Sequence, residues 1–227
     1  MGNRHTNSER LSKQRMDVFM KKKLNEMTLE ELWELFPISL VPHKTCWSEW
    51  FYEEKELLED LLTNVKTLKI EHIGSTTIST IYAKNIVDIL IEVENEDYIK
   101  TSNLLSNNGY IIMYQKENRA ALNKGYTEDG FAEKVFHVHV RKKGDIDELY
   151  FRDYLIEYKE VAKDYEKLKL ELWKRYEHDR DGYTDAKTEF ITSITEKAKS
   201  LYHGRYWNYL IIAIYELLNR KNIYLYG

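Results

Sequence analysis

Leu68, Ile70 and His72 alternate with Lys69 and Glu71, a period of two that predicts a half-buried strand. The pattern stops at Gly74, where a residue without a Cβ lets the backbone turn sharply. From Ile86 to Val93 nearly every residue is apolar, as in a central strand covered on both faces, and Asp88 interrupts the run. Tyr110–Gln115 reads as a third strand. Lys134–Arg141 reads as a fourth, with Phe136, Val138 and Val140 alternating with Val135, His137 and His139. Residues 116–134 contain Gly125 and Gly130 and read as a hairpin or a longer connection.

Helical spacing flanks this block. Thr28 and Glu31 have capping-box spacing, placing a short helix from Leu29 to before Pro37. Trp47, Trp50, Phe51, Glu54, Leu57, Leu58 and Leu61 follow the next helical period, and their aromatic stripe reads as core rather than as a base-stacking platform. Asp97–Asn107 predicts a helix closed at Gly109. Beyond Gly144 the pattern predicts helices over Asp147–Glu177, Thr184–Tyr202 and Arg205–Asn219. Strands in the middle with helices on either side make an α+β layout. The expected division is a tail and short helix over 1–36, a core over 37–144, and a helical region over 145–227 packed on that core.

Composition narrows the classes. Of 227 residues, 43% are apolar, enough for a core, and a formal net charge of -4 gives no global signal for nucleic acid or acidic membranes. No run approaches the roughly 20 apolar residues of a membrane span. The first 23 residues lack an apolar signal core. Cys46 is the single cysteine, which rules out an intrachain disulfide and a cysteine-based zinc site and fits a cytoplasmic location.

A Gly-Ser turn followed about a dozen residues later by a strand Asp is the layout of nucleotidyltransferases. Gly74, Ser75 and Thr76 are the candidates to hold phosphate through backbone and hydroxyl groups. Asp88 is the candidate carboxylate for Mg²⁺, which neutralises phosphate charge. Residues 88, 90 and 92 share a strand face, so Glu92 is an outside candidate for a second carboxylate. Lys84 and Arg152 are candidates for phosphate contact, the alternative for Arg152 being an ion pair with Asp153 or a nearby Glu. His137 and His139 share a face and could bind a metal or hydrogen-bond to Asp88 in a polar cleft; His72 faces the same region. The dense charges from Glu157 to Arg180 read as the solvated face of long helices.

Several separated segments together carry a resemblance. Glu71-His72-Ile73-Gly74-Ser75-Thr76, Ala83-Lys84 and Val87-Asp88-Ile89 resemble the signature of the GrpB family, a branch of the nucleotidyltransferase-like superfamily. The match continues through Phe136-His137-Val138-His139-Val140, Phe151-Arg152-Asp153-Tyr154-Leu155, Tyr165, Leu168-Lys169 and Lys187-Thr188-Glu189-Phe190-Ile191, covering residues 38–200 in order. The resemblance implies a nucleotidyltransferase-like mixed sheet with flanking helices and a C-terminal helical extension. It also implies Mg²⁺-dependent transfer of a nucleoside monophosphate from a nucleoside triphosphate to an unnamed acceptor. Relatives fused to a dephospho-coenzyme A kinase point the same way, toward nucleotide metabolism. The chain departs from the pattern at Leu90, where many members carry a second Asp, at Ser79-Thr80 in place of Pro-Gly, and at Asn85 in place of Pro. Leu90 opens the alternative of a catalytically degenerate nucleotide- or small-ligand-binding protein. The segment 205–227 extends past the match, as cover for the core or as a homodimer contact.

Overall fold

Strand β1 (Thr67–Ile73) pairs antiparallel with β2 (Val87–Val93), whose residues are buried on both faces apart from half-exposed Asp88. The computed structural model, which describes residues 21–206, builds a five-stranded mixed sheet around this pair. Strands β3 (Ile111–Gln115), β4 (Arg119–Thr127) and β5 (Gly130–Lys142) complete it in the order β1-β2-β5-β4-β3. β2 and β5 are parallel, with Asp88 beside His137 and Leu90 beside His139; the other three pairings are antiparallel.

Helices α1 (Leu29–Leu35), α2 (Cys46–Leu61) and α3 (Tyr98–Asn107) precede or interrupt the strands. Thr28 caps α1 as its spacing predicts: Glu31 N–H donates to Thr28 Oγ1 at 3.3 Å, and Thr28 N–H donates to Glu31 Oε2 at 2.7 Å. Trp47, Phe51 and Leu58 of α2 and Tyr98 and Leu105 of α3 pack with Val87, Ile89, Ile91, Phe136, Val138 and Val140 into the largest apolar cluster. The aromatic stripe of α2 is therefore core. On the opposite side lie α4 (Asp147–Glu157), α5 (Lys159–Tyr176) and α6 (Arg180–Leu201). Two smaller clusters hold them there, one joining Ile73 and Leu90 to Leu149 and Ala198, the other joining Ile78 and Ile81 to Leu155, Tyr165 and Ile194.

The α+β class and mixed sheet are those expected, with one alternative settled and one helix corrected. Residues 116–134 are the hairpin alternative: β4 is a fifth strand within them, and Gly125 is an interior bulge rather than a connection. At φ +90°, a Cβ on Gly125 would overlap the carbonyl of Lys134. The bulge shifts the register between Lys124 and Tyr126. It also turns Tyr126 to the opposite face of the sheet from Lys124, so Lys124 reaches Glu54 of α2 while Tyr126 reaches His137. The helix expected over Asp147–Glu177 divides at Tyr158 (φ −103°, ψ 82°) with no Gly or Pro to announce it. The helix expected over 205–219 falls almost wholly outside the described residues, as do the first 20 residues of the tail. Among the described residues no helix is long and apolar enough to cross a membrane.

Candidate functional site

Asp88 is the one residue of β2 that is not fully buried, its side chain 27% exposed. Its carboxylate receives two imidazoles from β5, His137 Nδ1 at 3.4 Å and His139 Nε2 at 3.3 Å from Oδ1. Groups behind each ring fix which nitrogen carries the hydrogen. Arg141 Nη2 donates to His139 Nδ1 at 3.2 Å, leaving Nε2–H to face Asp88. Arg180 Nη2 donates to the Tyr126 oxygen at 2.9 Å, whose hydroxyl can in turn donate to His137 Nε2 at 2.9 Å, leaving Nδ1–H for Asp88. Burial pushes His137 down to about 4 against the pull of Asp88, so this ring is neutral near pH 7. Burial by itself would raise the Asp88 carboxyl, but the hydrogen bonds from His137 and His139 outweigh it and hold the group well below the usual carboxylate range. Asp88 is ionised.

The turn after β1 closes on this carboxylate. Gly74 has φ +73°, and a Cβ there would overlap Asp88 Oδ2. Only glycine allows the turn and the carboxylate to share this space. Ser75–Thr77 then form a single 3₁₀ turn. That is too short to offer the row of free N–H groups expected for phosphate. Thr76 is buried and its hydroxyl is engaged with His72 Nε2 at 2.8 Å, so it is withdrawn from the cleft. Ser75 remains available, its Oγ accepting from Lys169 Nζ at 3.0 Å.

Lys169 belongs to the charged run read from sequence as a solvated face, and the structure overturns that reading at two points. Lys169 is 3% exposed and also donates to the carbonyl of Tyr82, while Arg180 packs against Tyr126 and Phe131. With Lys84 and Lys187 they set three lysines and an arginine near Asp88, with Glu166 also acting on Lys169. Lys84 and Lys187 lie over the ring of Tyr183, their Nζ atoms 5.8 Å and 4.2 Å from its centroid. Neither ammonium has a hydrogen-bond partner among the described residues. Burial, with Lys187 as a like charge, brings Lys169 down to about 7. Burial, with Arg180 as a like charge and Asp88 opposing, brings Lys187 to about 8. Burial, Lys187 and Arg180 together hold Lys84 well below the ordinary lysine value. A cavity of about 90 Å³ opens beside Lys84 and Arg180, lined also by Pro37, Val41, Asn85 and Phe131.

The remaining candidates divide. His137, His139 and Gly74 lie against the Asp88 carboxylate, Lys84 stands within its field, and Ser75 is joined to the group through Lys169. Glu92 does not: it is buried, paired with Lys69 Nζ at 2.6 Å, and accepts from Gly144 N–H at 2.7 Å. Arg152 takes the ion-pair alternative, with Asp153 at 2.8 Å and Glu71 at 3.0 Å, and donates to the carbonyl of His72 at 2.9 Å. Burial works against that charge, but Asp153 and Glu71 outweigh it and raise the guanidinium further. His72 lines the site only from behind. It stacks on Phe51 at 4.9 Å, and burial lowers it to about 4. Lys169, Lys187, Arg180, Tyr126 and Arg141 were not singled out as site residues. A signal for three of them was present. Lys169 falls on the same α5 stripe as Ala162 and Tyr165, and Arg180 and Lys187 on the same α6 stripe as Tyr183 and Ile194.

Magnesium, the cofactor expected from the sequence, finds a poor donor set for a protein-held pair of ions. Position 90 is a fully buried Leu packed with Ile73 and Leu149, and Glu92 is spent on Lys69. Asp88 Oδ1 already faces two N–H donors. No group of three or more His, Cys, Asp or Glu side chains among the described residues is placed to hold a metal. The arrangement suits an anion: half-buried lysines that repel one another are relieved by a bound negative charge.

Residues 37–197 match the model of a family described as GrpB protein. The chain belongs to the GrpB family. It is 35% identical over 164 residues to the glutamate-rich protein GrpB of Alkalihalophilus pseudofirmus, covering 69% of this chain and 93% of that protein. It is 32% identical over 184 residues to the UPF0157 protein YqkA of Bacillus subtilis, covering 78% of this chain but 52% of YqkA, so the match spans about half the length of that relative. The crystal structure of the conserved protein GrpB from Enterococcus faecalis superposes with a TM-score of 0.62 at 30% identity, covering 72% of this chain and 99% of that one. The mixed-sheet α+β fold that the GrpB resemblance implies is thus the fold found.

Proposed function

We propose that this GrpB protein binds the phosphates of a nucleotide in the cleft between Asp88 and the lysines of α5 and α6, as a nucleotidyltransferase-like protein that has lost the second metal carboxylate. One observation carries the reading. Lys84 and Lys187, half-buried and unpartnered over Tyr183, stand with Lys169 within the field of Asp88, and Lys169 reaches Ser75. A polyanion supplies the counter-charge that the protein itself does not.

Mg²⁺-dependent transfer of a nucleoside monophosphate from the triphosphate to an acceptor is the second reading. The observation in its favour is that Asp88 is ionised and 27% exposed at its side chain, reachable by a cation carried on the phosphates.

Calorimetric titration with ATP, GTP, CTP and UTP tests the proposal on wild type and on Lys84→Met. Binding of at least one nucleotide, weakened in the variant, is the expected result. Absence of binding by all four would sink the reading.

A further inference from the structure

We infer that this site holds the polyphosphate of its ligand with lysine charge and without a divalent cation. The inference rests on the nucleotide-binding reading above and goes further, since binding of a triphosphate is compatible with either mode.

Where a divalent ion neutralises a nucleotide's phosphates, the protein supplies carboxylates to hold the ion. This site inverts that balance. Leu90 is sealed in an apolar cluster and Glu92 is committed to Lys69 and Gly144, which leaves one carboxylate. Asp88 in turn presents Oδ1 to two imidazole N–H groups, and Oδ2 lies against the Gly74 backbone. Four cationic side chains stand near this carboxylate. Arg180 places one Nη1 bond on Phe36 O and one Nη2 bond on Tyr126 and adds its charge. Lys169 is anchored on Ser75. Lys84 and Lys187 are uncommitted, and compact ammonium groups on flexible stems are the kind of donor that takes phosphate oxygens. A divalent cation entering here would meet Arg180 and three lysines for the attraction of Asp88, since Glu166, the other carboxylate acting on Lys169, is held by Lys163 and the Tyr82 N–H. A di- or triphosphate would meet the reverse.

Direct titration of the full chain with ATP and with inorganic triphosphate, each in EDTA and in excess Mg²⁺, tests this. Wild type should bind ATP in EDTA with an affinity within about threefold of that in Mg²⁺, less than 1 kcal/mol. Lys187→Met should weaken binding in EDTA by about tenfold or more. Asp88→Asn, which keeps an oxygen for the imidazoles and removes a charge that repels phosphate, should bind as well as wild type or better. Binding of inorganic triphosphate in EDTA would support the inference by isolating the phosphates as the recognised group. Binding seen only with Mg²⁺, or lost in Asp88→Asn, would overturn metal-free binding while leaving the nucleotide reading intact. No binding of ATP or triphosphate under either condition would bring down both.

Discussion

The two faces of the β2–β5 pair are built from alternate residues of the same two segments and have opposite characters. Toward α2 and α3 point Val87, Ile89, Ile91, Phe136, Val138 and Val140, all buried in one apolar cluster. Toward α4–α6 point Asp88, Leu90 and Glu92, with His137, His139 and Arg141 beside them in parallel register. The first face needs only shape and gains roughly 1.5–3 kcal/mol for each large apolar side chain it removes from water. The second carries ionisable groups whose burial costs free energy unless each finds a partner. It meets that cost by pairing every group: Glu92 with Lys69, Arg141 with Glu148 at 2.6 Å, and the imidazoles with Asp88. The lysines opposite are the groups left over. Structural and functional demands are thus separated by the pleat of a strand, one residue apart in sequence.

The largest test of this division is Leu90→Asp. On a purely functional view it restores a carboxylate; here it buries a charge among Ile73, Ile146 and Leu149. A loss of several kcal/mol, roughly 3–5, is expected in urea unfolding. A stable variant with new Mg²⁺-dependent transfer activity would show that the polar face extends to position 90. Next in size is Ile89→Ala on the opposite face, expected to cost about 2–5 kcal/mol while the folded fraction binds anions as wild type does. Smaller still is Gly74→Ala. The backbone at φ +73°, ψ −172° is one that essentially only glycine adopts and costs about 1–3 kcal/mol for alanine, and the new methyl displaces Asp88, so the melting temperature should fall while binding of triphosphate by the folded protein is kept. A lost affinity in the folded variant would mean that the ligand needs Asp88 where it stands.

The smallest effect expected is of pH. Lys169 and Lys187 lie at about 7 and about 8 in the free protein, and an anion bound beside them would raise both. Below these values both lysines are charged before binding. Above them each must take up a proton on binding, so affinity falls as pH rises through about 7 and then about 8, by at most about tenfold per pH unit for each lysine. Calorimetry in buffers of different ionisation enthalpy at pH 8 should register this proton uptake. Its absence would mean that the lysines stay out of the binding event.

Much of the site's sheet side was legible in the sequence, because a strand's period of two assigns faces directly. Asp88, His137 and His139 could be placed on faces from alternation alone, and the chain order brought Gly74 and Ser75 beside them. The helical side was not legible in the same way. Lys169 and Arg180 sit in a stretch so rich in charge that one lysine on the buried stripe is masked by its neighbours on the wet side. Glu92 misled for a related reason. Strand parity fixes its face but says nothing of Lys69 across the β1–β2 pair, which takes it out of the cleft. The fifth strand hid behind Gly125, since a glycine inside a strand and a glycine in a loop look alike until the partner strand is known.

The candidate site is shared between two layers of the molecule, Ser75 and Asp88 on the sheet side and Lys169, Arg180 and Lys187 on α5 and α6. The like charges of Lys84, Lys187 and Arg180 act on one another across these layers, and on the nucleotide-binding reading they oppose the seating of those helices until the ligand binds, as a weak spring would. A bound polyanion turns the spring into a clamp. Amide hydrogen exchange should therefore slow along α6 when ligand binds, well away from any atom that touches it, because the opening it suppresses is the separation of a whole layer.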